Sequence, residues 1–177
     1  LCTGKIYATL KTIPQWHHPL TVPVYLAFAL MTGSAVLSAV ATLFGRFQTF
    51  QALLTLVLVI AVAVLKTFYW RSIDSAIARH SIADATGLGG SVRQWELPHT
   101  NINFIQKEMG YVVARNHAET LRRMVKIALA VAALAALLSW LVTPLLSFLL
   151  AAAALAAAAV ERWLFFAEAT HVVNLYY

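Results

Sequence analysis

Charged residues are scarce in this sequence. Only 11% of the 177 residues are charged, 61% are hydrophobic, and the mean hydropathy is +0.76. An ordinary soluble domain is about 25% charged, because it needs polar surface to cover its core. The composition therefore argues against a soluble globular enzyme and predicts an integral membrane protein. Disorder is excluded as well, since disordered chains are polar and charged.

Cysteine, glycine and proline are also few. The single cysteine, Cys2, excludes a disulfide framework and an iron–sulfur cluster ligated by cysteines of this chain. Seven glycines and five prolines exclude a collagen-like or low-complexity chain. No secretory signal pattern is visible. The sequence starts at Leu1, within what looks like a helix end, so we expect the gene product to be longer on the N-terminal side.

Basic residues outnumber acidic ones, with 13 Lys and Arg against 7 Asp and Glu, for a net charge of +6. In a soluble protein this excess would favour nucleic-acid binding. Here the basic residues flank apolar runs, which is typical of membrane topology and of contact with anionic lipid. We therefore expect membrane lipid, and no nucleic acid, as a partner.

Apolar runs of membrane-spanning length occur four times. A bilayer core about 30 Å thick needs roughly 20 apolar residues in a helix. The predicted spans are 22–44, 47–65, 124–141 and 144–166. The predicted fold is all-α: a polytopic transmembrane helix bundle of about four spans plus an N-terminal helix end.

Two local predictions accompany these spans. Lys66 follows the second span, where its aliphatic stem would let the ammonium group snorkel to the interface. Thr143 and Pro144 break the long third apolar run, as N-cap and first helical residue of span four.

The spans divide the chain into four parts. Residues 1–21 are the end of a preceding helix and an interfacial linker, and 22–70 form a transmembrane hairpin. Residues 71–123 form an extramembrane loop with an amphipathic helix, and 124–177 form a second hairpin with a C-terminal tail. The loop holds most of the charge, so the positive-inside rule places it in the cytoplasm.

The C-terminal stretch holds the most unusual ionisable residues. Glu161 and Glu168 lie seven positions apart on one helix face, and His171 follows one turn later. Ionisable groups at membrane depth indicate either function or pairing. The functional interpretation is a proton path or a contact with a quinone ring. The alternative is an interfacial helix end in which Glu161 and Arg162 pair with neighbouring helices.

Haem and metal sites are not expected. Haem b in a membrane bundle needs a histidine on each of two facing helices. His17 and His18 lie together before the first span, and adjacent side chains point in different directions. The loop histidines lack metal-ligand spacing: His80, His99 and His117.

Four stretches carry a resemblance to a known family. They are IYATLKTIPQWHHPLT at 6–21, ATGLG at 85–89, PHT with KEMGY and ARNHA within 98–118, and the C-terminal stretch 161–177. Together they resemble the membrane anchor subunit of bacterial dimethyl sulfoxide reductase and its relatives. The resemblance covers the whole chain and corresponds to the C-terminal four-helix half of that anchor.

The resemblance implies a complex in the bacterial inner (plasma) membrane, with a molybdopterin catalytic subunit and an iron–sulfur subunit as partners. The anchor oxidises a quinol, typically menaquinol, and passes electrons to the iron–sulfur subunit in anaerobic respiratory electron transport. It is not itself catalytic and carries no haem. The family's quinol-site residues lie in its first half, so none has a matching position here, and Glu161, Glu168 and His171 remain candidates from their own chemistry.

The long loop is our prediction for contact with the partner subunits. The candidate residues are Pro98, His99, Lys107, Glu108, Arg115 and His117. The resemblance places this loop on the periplasmic face, whereas the charge count places it inside, so its side stays open.

Two other classes of protein are alternatives. A transporter or channel fragment would show paired intramembrane charges or broken helices near the middle of the bilayer. The centres of the first three predicted spans are free of charge, which counts against that class. A purely structural assembly factor would have no effect on quinol oxidation.

Overall fold

The computed structural model describes residues 1–75, 82–88, 90, 92–93, 95–96 and 116–171. These residues form helices and connections, with no strand among them. The helices are α1 (Cys2–Ala8), α2 (Thr21–Leu43), α3 (Thr49–Ser75), α4 (Ile82–Thr86), α5 (Ala118–Leu141) and α6 (Leu146–Ala167). The all-α prediction is confirmed.

Four of these helices, α2, α3, α5 and α6, are long and apolar enough to cross a bilayer, so the chain is a multi-pass membrane protein. Helix α2 packs on α3 and α6, and α5 packs on the same two neighbours. The bundle is therefore a square in which α3 and α6 stand at opposite corners.

Helix α3 is longer than the span predicted at 47–65. Its 27 residues correspond to about 40 Å of helix, against a bilayer core of about 30 Å. The helix continues through Lys66 and an aromatic group to the mostly polar residues at 71–75. The extramembrane loop was predicted to begin at residue 71, but the helix continues to Ser75. The end of the helix therefore carries polar side chains toward the membrane surface.

The turn between α2 and α3 has a specific backbone geometry. Gly45 follows the helix cap with φ +63°, a conformation that favours glycine. The amide of Arg46 donates to the carbonyl of Ala41 at 2.8 Å, and that of Gly45 to Thr42 at 3.1 Å. These bonds form a Schellman motif, which closes α2 and returns the chain into α3.

The break between α5 and α6 lies where the sequence predicts it, but its cap differs. Helix α6 begins at Leu146 with Leu145 as N-cap, so Thr143 and Pro144 were wrongly placed as N-cap and first helical residue. They form a preceding turn, in which the amide of Leu146 donates to the carbonyl of Thr143 at 3.2 Å. Proline at this point stops α5 because it has no N–H to continue the helix.

Small side chains hold the centre of the bundle together. Buried alanines lie on the contacting helices α5 and α6, at positions 132, 135, 136, 153, 154 and 157. Small residues let membrane helices approach closely, which increases van der Waals contact in the absence of a hydrophobic driving force between helices. Many large apolar side chains, such as Leu30, Val57 and Leu134, instead face outward, as expected for a lipid-facing surface.

Candidate functional site

The ion pairs of the described residues gather at one end of the bundle, where α3 and α6 finish and α5 begins. The connection between α1 and α2 covers this end. The indole N–H of Trp16 donates to the carbonyl of Phe165 at 3.0 Å. The Tyr69 hydroxyl donates to the carbonyl of Gln15 at 2.9 Å. The connection is thereby fixed to α6 and α3 at once.

A buried ion pair crosses the bundle beneath this cover. Lys66 Nζ on α3 lies 2.6 Å from Glu161 Oε1 on α6, and the side chains are 1% and 0% exposed. The prediction that Lys66 snorkels to the interface was wrong, because an acidic partner on the opposite helix holds the ammonium group inside. Tyr69 and Trp70 add cation–π contacts, with ring centroids 4.2 Å and 4.9 Å from Nζ.

Arg162 completes the surroundings of Glu161. Its Nε donates to Glu161 Oε2 at 2.5 Å. Its guanidinium carbon lies 3.8 Å from the centroid of the Tyr25 ring. Glu161 therefore has a cation at each carboxylate oxygen, and this pairing offsets part of the cost of burying the side chain.

A second set of charges lies closer to the surface. Arg122, near the start of α5, donates from Nε to Glu168 Oε1 at 2.6 Å, and from Nη1 and Nη2 to Asp74 at 2.6 and 2.9 Å. The two-fold contact with Asp74 matches the planar fork of arginine to a carboxylate. Arg122 thereby ties α5 to the ends of α3 and α6.

Glu168 has an unusual environment for a carboxylate outside the spanning helices. Its side chain is 10% exposed, and Oε2 has no hydrogen-bond partner among the described residues. Burial raises the pKa of Glu168, and the neighbouring Arg122 opposes that rise. A carboxyl group of this kind holds a proton more readily than an exposed one.

We call these six side chains the charge cluster: Lys66, Asp74, Arg122, Glu161, Arg162 and Glu168. Three are cationic and three acidic, so the cluster is formally neutral. Neutrality lowers the cost of placing charges at membrane depth, because each charge has a partner.

The structure brings two of the three predicted site residues into this cluster. Glu161 lies at its buried centre and Glu168 near its surface, and Glu161 pairs with a neighbouring helix as the alternative interpretation expects. His171 lies just beyond α6 and is partly exposed. Sequence reasoning missed Arg122 and Asp74 as members. One signal in the sequence could have paired Lys66 with Glu161. Each is an ionisable residue at the end of a long apolar run, and the two have opposite charge.

The two adjacent histidines lie in the connection between α1 and α2, and their side chains have different partners. His17 Nδ1 contacts the carbonyl of Ala8 at 2.7 Å. His18 Nε2 lies 2.8 Å from Ser72 Oγ, and the amide of Leu20 donates to His18 Nδ1 at 3.1 Å. Burial lowers the pKa of His18 below its ordinary value. Within the described part of the chain, no group of acidic, histidine or cysteine side chains has the arrangement of a metal site.

Most of the predicted partner-binding residues lie outside the described residues: Pro98, His99, Lys107, Glu108 and Arg115. His117 is described, and it is the exposed N-cap position of α5. Helix α5 begins at Ala118, ahead of the predicted span start at Met124.

Comparison with known proteins finds similarity to a sulfite dehydrogenase subunit from Allochromatium vinosum. The two are 28% identical over 186 aligned residues, which cover 100% of this chain and 56% of that protein. The chain therefore spans about half the length of the curated relative it matches. No family model and no solved structure matches the chain.

Proposed function

We propose that this chain is a membrane anchor subunit of an oxidoreductase complex in the bacterial inner membrane. The observation that carries the proposal is the similarity to a dehydrogenase subunit along the whole chain. The four apolar helices fit a role inside the membrane. The proposed partners are an iron–sulfur subunit and a molybdopterin catalytic subunit, as the resemblance to the dimethyl sulfoxide reductase anchor implies.

The proposed reaction of the complex at this subunit is electron exchange with the quinone pool. The anchor resemblance implies oxidation of a quinol, typically menaquinol, with electrons passing to the iron–sulfur subunit. The name of the relative, a sulfite dehydrogenase subunit, favours the reverse direction, in which electrons from the substrate reduce a quinone. We propose quinol oxidation as the first direction to test, with quinone reduction measured beside it.

Among the described residues, Glu168 is the best-suited group to accept a proton released by a quinol. Its Oε2, which has no hydrogen-bond partner among those residues, and its raised pKa are properties of a proton acceptor. His171, partly exposed beyond α6, would lie on the way to water. Glu161 is fully buried between Lys66 and Arg162, so its proposed role is to hold those cations in place beneath Glu168.

The partnership is tested on the complete gene product. A C-terminal tag, gentle solubilisation of native membranes and assays for iron, molybdenum and co-purifying chains are the required measurements. We expect both metals together with two larger soluble chains. A metal-free protein that purifies alone, from cells shown to express the proposed iron–sulfur and molybdopterin subunits, would contradict the proposal.

The role of Glu168 is tested in the purified complex. We expect Glu168→Gln to lower the rate of menaquinol oxidation by roughly 10²–10³-fold while the metal content and the set of co-purifying chains stay unchanged, since proton transfer of this kind contributes about 10²–10⁴-fold. Glu119→Gln removes an exposed carboxylate at the start of α5 and is the matched control. A full rate in Glu168→Gln, or an equal loss in the control, would refute the role.

A transporter or channel fragment remains the second candidate, and one observation favours it. Lys66 and Glu161 are a paired intramembrane charge, a feature typical of transport pathways. The purification separates the two candidates, because a transporter needs neither metal nor redox subunits. Ion or substrate flux in proteoliposomes of the metal-free protein would favour this second function.

A further inference from the structure

A groove runs along the outside of the bundle between α3 and α5. It has a volume of about 190 Å³ and is separate from the interior of the charge cluster, although Lys66 contributes to its wall. One end is apolar, with Ile60 and Ala63 facing Ala130 and Ala133 across the groove. Such an end suits a hydrocarbon chain.

The other end of the groove is cationic and rich in hydrogen-bond donors. Lys66, Thr67, Trp70 and Lys126 line it. Trp70 is 4% exposed, and its indole N–H has no hydrogen-bond partner among the described residues. Burying such a donor without a partner costs free energy, so a ligand acceptor at this point would stabilise the fold.

Lys126 adds a charge that the described part of the chain does not neutralise. It is exposed, and its Nζ lies 5.8 Å from the centroid of the Trp70 ring. Among the described residues, it has no acidic side chain within ion-pair distance, whereas Lys66 has Glu161 and Arg122 has two carboxylates. Within the described part of the chain, the cationic end therefore has a positive charge without a counter-charge, next to an indole donor without a partner.

The spacing of these residues matches a membrane lipid. Ile60 and Trp70 are ten positions apart on α3, or roughly 15 Å along the helix axis. That distance is about half of a hydrocarbon core of about 30 Å, which is the depth of one leaflet. Tryptophan and lysine at the shallow end are typical of the headgroup level.

A quinol fits the groove less well. Oxidation of a quinol needs a group that accepts its hydroxyl protons. None of the described residues lining the groove is a carboxylate or a histidine. The groove offers donors and cations, which suit an anionic acceptor such as a phosphodiester.

We propose that the groove between α3 and α5 binds one anionic phospholipid, with its phosphate at Lys126 and Trp70 and one acyl chain along the apolar end toward Ile60 and Ala133. The lipid supplies the acceptor for the indole N–H and the counter-charge for Lys126. It also fills the gap between two spanning helices. This site is independent of the proposed redox function, because it uses only contacts within this chain.

The site is tested on the complete gene product in nanodiscs made from phosphatidylcholine with a minor fraction of phosphatidylglycerol. Protein released from the discs is analysed by native mass spectrometry for retained lipid. We expect one retained phosphatidylglycerol per chain and no such preference for phosphatidylcholine. Lys126→Gln should weaken retention about fivefold, since a lysine near an anionic lipid contributes ~1 kcal/mol. Trp70→Phe, which keeps the ring but removes the donor, should also weaken it.

Lys11→Gln is the matched control, because Lys11 is an exposed cation at the same end of the bundle but outside the groove. Unchanged retention in this control supports the site, and an equal loss overturns it. Equal retention of the two lipids, or full retention in Lys126→Gln, also overturns it. Displacement of the lipid by inorganic phosphate would reveal a simple anion site, and displacement by a menaquinone analogue would reveal a quinone site; either result refutes the lipid assignment.

Discussion

The buried ion pair between Lys66 and Glu161 leads to a specific prediction about the stability of this bundle. Their charged atoms are 2.6 Å apart and both side chains are essentially inaccessible. At an effective dielectric constant of about 20, their mutual attraction is about 6 kcal/mol. Desolvation offsets much of that gain, so the decisive effect is the loss of one partner, which costs about 3–5 kcal/mol because it leaves a buried charge unpaired.

The two single substitutions should differ in size. Glu161→Gln leaves the ammonium group of Lys66 buried without an acidic partner, so we expect the free energy of unfolding to fall by about 3–5 kcal/mol. Lys66→Met leaves Glu161 paired with Arg162, which is 26% exposed and can adjust. We expect it to cost only about 1–3 kcal/mol. The double variant should be less destabilised than the sum of the two single costs, with a coupling energy of about 1–3 kcal/mol.

The measurement is reversible unfolding of the complete gene product in mixed micelles, followed by tryptophan fluorescence at fixed pH and salt. Lys5→Met, at an exposed lysine of α1, is the control and should stay within about 0.5 kcal/mol of the natural protein. The reasoning is refuted if Glu161→Gln is as stable as the control. It is also refuted if Lys66→Met is the more damaging of the two.

Two further predictions concern the cover and the helix contacts. Burial lowers the pKa of His18 from 6.5, so the fold favours the neutral imidazole. The stabilising contribution of His18 is therefore present above about pH 6.5, and it is lost as the pH falls through the lowered pKa. The stability difference between the natural protein and His18→Gln should shrink with falling pH, and parallel pH curves would contradict this. Ala154→Leu, at a fully buried position, should cost about 1–3 kcal/mol by overpacking. Ala156→Leu, exposed on the same helix, should be nearly neutral in the same assay, and equal effects would show that this helix face is wrongly assigned.

The number and approximate limits of the spans follow from the amino-acid sequence alone. Hydrocarbon excludes charge and unpaired backbone groups, so a spanning helix must be a long apolar run. The break at Pro144 was also visible, because proline acts on the backbone directly. The exact N-cap of α6 was not, since a short turn after Thr143 shifts the helix start by a few residues.

The candidate site was predicted only in part. Glu161 and Glu168 stood out because ionisable residues are rare in apolar stretches. Their partners did not, because Lys66, Arg122 and Asp74 come from other helices, at positions that resemble ordinary span ends. An exposed lysine and a buried one have the same sequence signature at the end of an apolar run.

The face of each helix that points inward is set by the packing of the bundle and is not visible in the sequence. Lipid tails are as apolar as the protein interior, so the spans are hydrophobic on all sides and the sequence does not mark their buried face. The packing of α2 and α5 between α3 and α6 sets that face, and it places Lys66 opposite Glu161 across the bundle. The same packing leaves the groove between α3 and α5 open beside Trp70 and Lys126.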